Sequence, residues 1–445
     1  MKLLGTLAFS ALAAAAAVTG PQPRNAVAGD NNSKVSYEGY HVYRIRAGSP
    51  REIEEIEHQL SPYHSAHGRD TLEVVIPPHE VRSFEAMGFD AQLLSRDLSQ
   101  QIRAESAVQA RYSRSLRKRD DDLPDLSWFD SYHAYEDHLD YWDDLAAAFP
   151  GHAEKVYLGD SYEGREIYAF NFWGDEEGKE SKPVILWHST VHAREWISTM
   201  VLEYLTYQLI DGYKSGDANV TRILDHYDFW MVPFHNPDGF VYSQTTDRMW
   251  RKNRQPRSNT TCVGTDNNRN WKYQWNADPE GGSVSPDPCS QSYKGQCAGD
   301  TPENVAVSAL SSELAAREAG IRSYIDWHSY SQLILTPYGW SCKPEDLPAT
   351  LPRMMAVGEG VAAAIAAESG KRYVVGPACE VLYASSGTGR DHHHGALAAD
   401  HSWTLELRPA NAREGGFILP PEQIWSTVRE QWAGQLWMLN EVWDN

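Results

Sequence analysis

Val184-Ile-Leu-Trp187-His-Ser-Thr-Val-His192-Ala-Arg-Glu195-Trp196 is the stretch from which the rest of the chain can be read. Its first four residues form an unbroken apolar run, short enough for a strand and continuous as in a strand covered on both faces. A short loop follows, and the sequence from Trp196 onward reads as a helix. His192-x-x-Glu195 falls between the two, at the strand end where α/β folds place their sites. His-x-x-Glu puts two metal ligands on one turn. With 17 His in the chain, about one such pair arises by chance, so the spacing alone is weak. A second pair, His133-Ala-Tyr-Glu136, sits beside Asp137 and Asp140 in an amphipathic stretch and is expected to be solvated surface.

Similar apolar runs recur at 229–234, 324–327 and 403–407, separated by helical stretches, which predicts a large α/β domain with a mostly buried sheet. The run at 324–327 ends in His328. A lone histidine there is more often a hydrogen-bonded structural residue; beside His192 and Glu195 it completes a two-His-one-Glu set that leaves one position open for water. Such a site needs a base. Glu406 is the candidate, because a carboxylate within 403–407 is costly unless it has a use. The competing reading is a salt bridge to Arg408, which shares its strand parity.

Upstream, Trp128, Tyr132, Tyr135, Leu139, Trp142, Leu145 and Phe149 recur at three- and four-residue steps, predicting one amphipathic helix ended by Pro150-Gly151. Before it lies a different kind of sequence. Residues 40–47 alternate, with Tyr43, Ile45 and Ala47 on one side and Val42, Arg44 and Arg46 on the other, as in a half-buried strand. A helix is expected at 52–60, a strand at 72–76 stopped by Pro77-Pro78, a helix at 79–88 and a strand at 89–94. This is a small α+β domain, followed by a polar helical connector at 95–117.

Charge changes at the same place. The chain of 445 residues has net charge −21, which argues against nucleic acid as a partner. Residues 1–119 hold 15 Lys+Arg and 13 Asp+Glu, whereas the remainder holds 25 and 48. The break coincides with Arg117-Lys-Arg119-Asp120. A solvated basic run is the plain alternative, but a convertase site at Lys118-Arg119 fits the start of the chain. There Lys2 precedes the apolar run 3–18, a secretory signal peptide within residues 1–20. No other stretch is apolar enough for a membrane anchor. Secretion permits disulfides among the five cysteines and leaves at least one unpaired. Asn31, Asn219 and Asn259 are glycosylation sequons.

Seven motifs in order then carry a resemblance: His192-Ala-Arg-Glu-Trp196, Asn236-Pro-Asp-Gly239, Arg248-Met-Trp-Arg-Lys252, Asp266-Asn-Asn-Arg-Asn-Trp271, His328-Ser-Tyr-Ser-Gln332, Tyr383-Ala-Ser-Ser-Gly387 and Thr404-Leu-Glu-Leu-Arg408. The chain resembles the secreted zinc metallocarboxypeptidases of the pancreatic A/B type, in proenzyme form. The resemblance implies an α/β catalytic domain at 120–445 with a mixed sheet flanked by helices. It implies an inhibitory open-sandwich α+β prosegment with its connector at 36–119, and a monomeric extracellular enzyme that removes C-terminal residues from peptides and proteins. It implies one zinc on His192, Glu195 and His328, with Asp266 behind His192. Glu406 would be the base and Arg251 the oxyanion partner. Asn268, Arg269 and Tyr383 would hold the substrate carboxylate, with Arg194 at an auxiliary subsite. It also implies disulfides Cys262–Cys289 and Cys342–Cys379, leaving Cys297. Arg390 departs from both types: it falls where the family places the floor of the side-chain pocket, and an arginine there suggests acidic C-terminal residues. The alternatives are an Arg390 turned outward onto Asp391, or a slip that puts Asp391 at the floor. His392-His-His394 is expected to be a solvated loop. The competing function is an inactive carboxypeptidase-like binding protein, against which Glu406 and every ligand are present. A zinc aminopeptidase or amidase has no use for Asn268, Arg269 and Tyr383.

Overall fold

Eight strands build the sheet on which the chain is organised: Ala153–Asp160, Glu166–Phe172, Val184–Ser189, Asp228–Val232, Ile321–Ser329, Leu333–Thr336, Val374–Pro377 and His401–Leu407. Numbered β5 to β12 after four earlier strands, they run in the order β11-β10-β12-β9-β7-β8-β6-β5. The central four, β12-β9-β7-β8, are mutually parallel, and the flanking pairs β10–β12, β8–β6 and β6–β5 are antiparallel. The sheet is therefore mixed, and its parallel centre sends the C-terminal ends of β7, β9 and β12 to one edge. The computed structural model describes residues 34–60, 63–109, 122–175, 179–279 and 282–443. The expected signal peptide, Asn31 and Lys118-Arg119 lie outside them.

Strand β7 shows why these segments read as unbroken apolar runs. Ile185 and Trp187 enter a core with the helices Ile197–Ser215, Leu351–Ser369 and Ile424–Glu441, while Val184 and Leu186 enter a second core with the helix Pro302–Ala315. Each fully buried aliphatic side chain contributes about 1.5–3 kcal/mol relative to exposure, so every residue of such a strand is selected. No helix among the described residues is long and apolar enough to cross a membrane.

The N-terminal strands are His41–Arg46 (β1), Ser65–His67 (β2), Thr71–Ile76 (β3) and Ala91–Ser95 (β4), antiparallel in the order β2-β3-β1-β4. Tyr43, Ile45, Leu72, Val74 and Ile76 pack on the helices Pro50–Gln59 and Val81–Ala86 through Ile53, Ile56, Leu60 and Phe84. The other face is covered as well, where the alternation had predicted a half-buried strand. Val42, Val75 and Leu98 rest on Met249 and Ile418 of the larger domain, and Arg44 pairs with Glu73. The connector helix Leu98–Gln109 is pinned by Glu105, which takes two hydrogen bonds of 2.7 Å from the Arg248 guanidinium.

Three expectations are corrected. The single helix over 128–149 is a short 3-10 turn, Leu126–Asp130, an extended link, and a helix at Tyr135–Ala147. His133 lies in the link and is buried rather than solvated: it stacks on Trp128 with centroids 3.6 Å apart, and its Nε2 bonds the Trp128 carbonyl at 2.6 Å. One ring nitrogen thus serves a carbonyl and the ring face an indole, which suits a neutral imidazole in the core. His392-His-His394 is likewise no loop but part of the helix Gly389–Gly395. His393 is fully buried, stacked 3.5 Å from Tyr324 and hydrogen-bonded to Ser311.

Candidate active site

His192 and Glu195 sit in the turn between β7 and its helix. Asn236, the N-cap of the helix Pro237–Thr245 that follows β8, donates through Nδ2 to the Val191 carbonyl, and Ala193 N donates to the Arg251 carbonyl, so the turn is fixed from both sides. His328 is the penultimate residue of β9, and Glu406 is its register partner on β12. The parallel centre of the sheet thus delivers the three expected ligands and the expected base to one place.

His192 Nδ1 is 2.8 Å from Glu195 Oε1, His328 Nδ1 is 2.9 Å from Glu195 Oε2, and the two Nδ1 atoms are 3.0 Å apart. His192 Nε2 faces Asp266 Oδ1 at 3.0 Å. A proton on Nε2 serves that aspartate and leaves Nδ1 as a lone pair. Two imidazole nitrogens and a carboxylate, all buried and within 4.8 Å of one another, could hold a metal ion. That N/O donor set fits zinc with a position left open.

Charge in the site is balanced tightly. Burial works to raise the Glu195 carboxyl, but His192 and His328 hold it well below the usual range. Asp266 is likewise raised by burial and lowered further by Arg251 and His192. Burial pushes Glu406 up to about 8, opposed by His328 and helped by Glu195. The positive charge of a metal at the neighbouring ligands acts in the opposite direction. Arg408 is not its partner: that guanidinium is turned to Glu430.

His192, Glu195, His328, Arg251, Asn268, Arg269, Tyr383, Arg390 and Glu406 all line one pocket. Asp266 lies behind it, bonded to Arg251 Nη2 at 2.8 Å. Arg194 lies to the side, stacked 3.8 Å over the Phe417 ring. Arg390 is 3% exposed and sits where Thr388 and Thr404 line the pocket, with Nη1 3.2 Å from Thr404 Oγ1. Its Nε also donates to Asp391, so the outward and pocket readings merge: the pair exists and the guanidinium still faces inward. Asp391 itself accepts from the Gly339 and Trp340 amides and is not at the floor. Gly339 makes the room, since a Cβ there would come within 2.5 Å of Arg390 Nη2. The sequence reading missed Asp326, 2.8 Å from His328 Nε2; its signal was a carboxylate two residues before a candidate ligand on one strand. Cys262–Cys289 and Cys342–Cys379 are disulfides, and Cys297 is free and exposed.

The profile of the zinc carboxypeptidase family matches residues 138–434. The chain belongs to that family. It is 40% identical over 414 residues to a metallocarboxypeptidase A of Arthroderma otae, covering 91% of this chain and 94% of that one. It is 39% identical over 418 residues to a metallocarboxypeptidase A of Trichophyton rubrum, with 92% and 94% covered. Its fold superposes on the carboxypeptidase A of Helicoverpa armigera with a TM-score of 0.79 at 27% identity, covering 92% of this chain and 98% of the other. This carboxypeptidase is a hydrolase of C-terminal peptide bonds, and its family implies a zinc cofactor.

Proposed function

We propose that this carboxypeptidase is a secreted proenzyme, released by cleavage after Arg119, that prefers acidic C-terminal residues. His192, Glu195 and His328 would hold zinc, which when bound supplies a Lewis acid that polarises the scissile carbonyl and acidifies water. Arg269 would grip the substrate's terminal carboxylate. Of its five N–H donors, three are engaged by the Ser283 carbonyl at 2.5 Å, the Asn268 carbonyl at 2.8 Å and Tyr383 Oη at 3.2 Å. The fork is thereby fixed, with two donors left for a bidentate pair. Arg251 is aimed at the reacting carbonyl, and its charge stabilises negative charge developing there. Glu406 takes the proton of the attacking water and returns it to the leaving amine.

The side-chain preference rests on one observation, the inward Arg390. Its Nη atoms meet only hydroxyls in the pocket, Thr404 at 3.2 Å and Thr388 at 3.4 Å. A Glu or Asp side chain converts those contacts into a two-point ion pair, whereas an apolar one buries the charge without a better partner. Latency is supported by Arg44, Ala66, His67, Gly68, Thr71 and Glu73 of the N-terminal domain, which line the same pocket.

The test is release from peptides that differ only in their last residue, by chain trimmed at Arg119. Glu and Asp are expected to leave faster than Phe or Lys. Faster loss of Phe or Lys discards the acidic preference and leaves the carboxypeptidase untouched.

A further inference from the structure

Asp326 and His328 share strand parity on β9, so their side chains leave the same face. The Asp326 carboxylate is fully buried, and its Oδ1 is 2.8 Å from His328 Nε2. The next basic group, His188 Nε2 across the register on β7, is 3.6 Å away and is already bonded to the Tyr324 hydroxyl. Burial pulls His188 down to about 4, so it brings no charge. Among the described residues neither oxygen of Asp326 receives an aligned hydrogen bond, and the His328 contact is one of proximity and charge. A buried carboxylate in that state is costly, and the one group positioned to relieve it is the His328 ring.

The two nitrogens of that ring have separate tasks. Nδ1 faces Glu195 and His192, while Nε2 faces Asp326. With the proton on Nε2, Asp326 gains a donor and Nδ1 presents a lone pair to a metal. The other tautomer points a proton at the metal side and sets two acceptors against each other at 2.8 Å. Asn268 Nδ2 lies 3.1 Å from the same nitrogen, and as a donor it favours the other tautomer. Asp326 is closer and carries a full charge, so the carboxylate prevails. Flipping the Asn268 amide is no alternative, because its Oδ1 accepts from Gly389 N at 2.8 Å.

We propose that Asp326 is a positioning residue that holds His328 in the Nε2–H tautomer with Nδ1 turned to the metal, as Asp266 holds His192. The two aspartates differ in one respect. Asp266 is shared with Arg251 and the Asn268 main-chain N–H, whereas Asp326 depends on His328 alone and its loss acts through that ring only. The inference rests on His328 being a ligand.

The test measures zinc affinity by chelator competition and the visible spectrum of the cobalt(II)-substituted protein, for wild type, Asp326→Asn and His328→Ala. Asp326→Asn is expected to bind zinc about 10- to 100-fold more weakly and to shift the cobalt bands. Zinc affinity of Asp326→Asn within about twofold of wild type, with unchanged bands, overturns the proposal while His328→Ala still fails to bind. Wild-type affinity in His328→Ala overturns the ligand set and the proposal together. If Asp326→Asn does not fold, a crystal structure of the zinc-loaded wild type decides. Nδ1 on zinc with Nε2 within about 3.2 Å of Asp326 supports the proposal, and Nε2 on zinc overturns it.

Discussion

Arg194 donates through Nη2 to the main-chain carbonyl of Ser65 at 2.7 Å. An arginine one residue from Glu195 is thus occupied by strand β2 of the N-terminal domain rather than by a peptide. The same strand sets His67 edge-on against the Tyr383 ring, with centroids 4.4 Å apart. Glu57 of the first helix follows, 3.7 Å from His67 Nε2 and 3.5 Å from Ser283 Oγ. Intact chain should therefore hydrolyse small peptides slowly, and cleavage after Arg119 should raise the rate. Equal rates before and after cleavage would refute a prosegment role for residues 36–119.

Glu57 and His67 make the pH dependence of that latency predictable. Burial pushes Glu57 from 4.5 up to about 7 and pulls His67 from 6.5 down to about 3. A raised acid favours the docked N-terminal domain below its free pKa, and that support is lost as pH rises through about 7. A lowered base does the reverse, favouring docking above its free pKa and losing it as pH falls. Between 4.5 and 6.5, docking takes up a proton at Glu57 and releases one at His67, so the two cancel. The ratio of intact to cleaved activity should be flat there in the wild type. Glu57→Gln should leak more as pH falls and His67→Asn as pH rises, each by at most roughly tenfold per pH unit. Parallel slopes in the two variants would contradict this assignment.

The ligand turn was legible because strand ends carry few residue types by accident. His328 ends an apolar run, Glu406 interrupts one, and His192 and Glu195 lie in the turn that follows one, and a polar side chain there needs a function. Asp326 does the same, yet it reads as one polar residue inside a strand until its neighbour is known to be a ligand. His133 and His393 were misread because aromatic stacking on Trp128 and Tyr324 is a tertiary fact. Strand β5 escaped notice for the opposite reason: at the sheet edge, it mixes exposed and half-buried residues without clean alternation. The three-residue β2 is too short for any period to register.

Removing zinc with a chelator should abolish hydrolysis, and His192→Ala should purify with little zinc. The three acceptors need a cation, and losing one imidazole leaves the remaining pair without the closed set. Full zinc occupancy in His192→Ala by metal analysis would show that the metal lies elsewhere.

Glu406→Gln should lose at least about 10²-fold in turnover while keeping zinc and peptide affinity. The amide preserves the shape beside His328 but accepts no proton. Because Arg408 is committed to Glu430, the substitution leaves no buried cation unpaired, so stability should change little. A variant with more than about a tenth of wild-type turnover would mean that another group is the base.

Arg390→Ala tests the pocket with the scaffold intact. Asp391 keeps the Gly339 and Trp340 amides as donors when the arginine goes, so the helix Gly389–Gly395 retains its anchor to the neighbouring loop. Losing the partner of a buried carboxylate costs about 1–3 kcal/mol, more when both groups are charged. Release of C-terminal Glu should therefore fall by roughly 10- to 100-fold or more. Release of Phe should hold or rise, because the truncation removes a charge that an apolar side chain has to bury beside Thr404. The distinction from general damage lies in that crossing. A loss of Glu and Phe release in equal measure would assign Arg390 to the packing of the pocket and not to the choice of substrate.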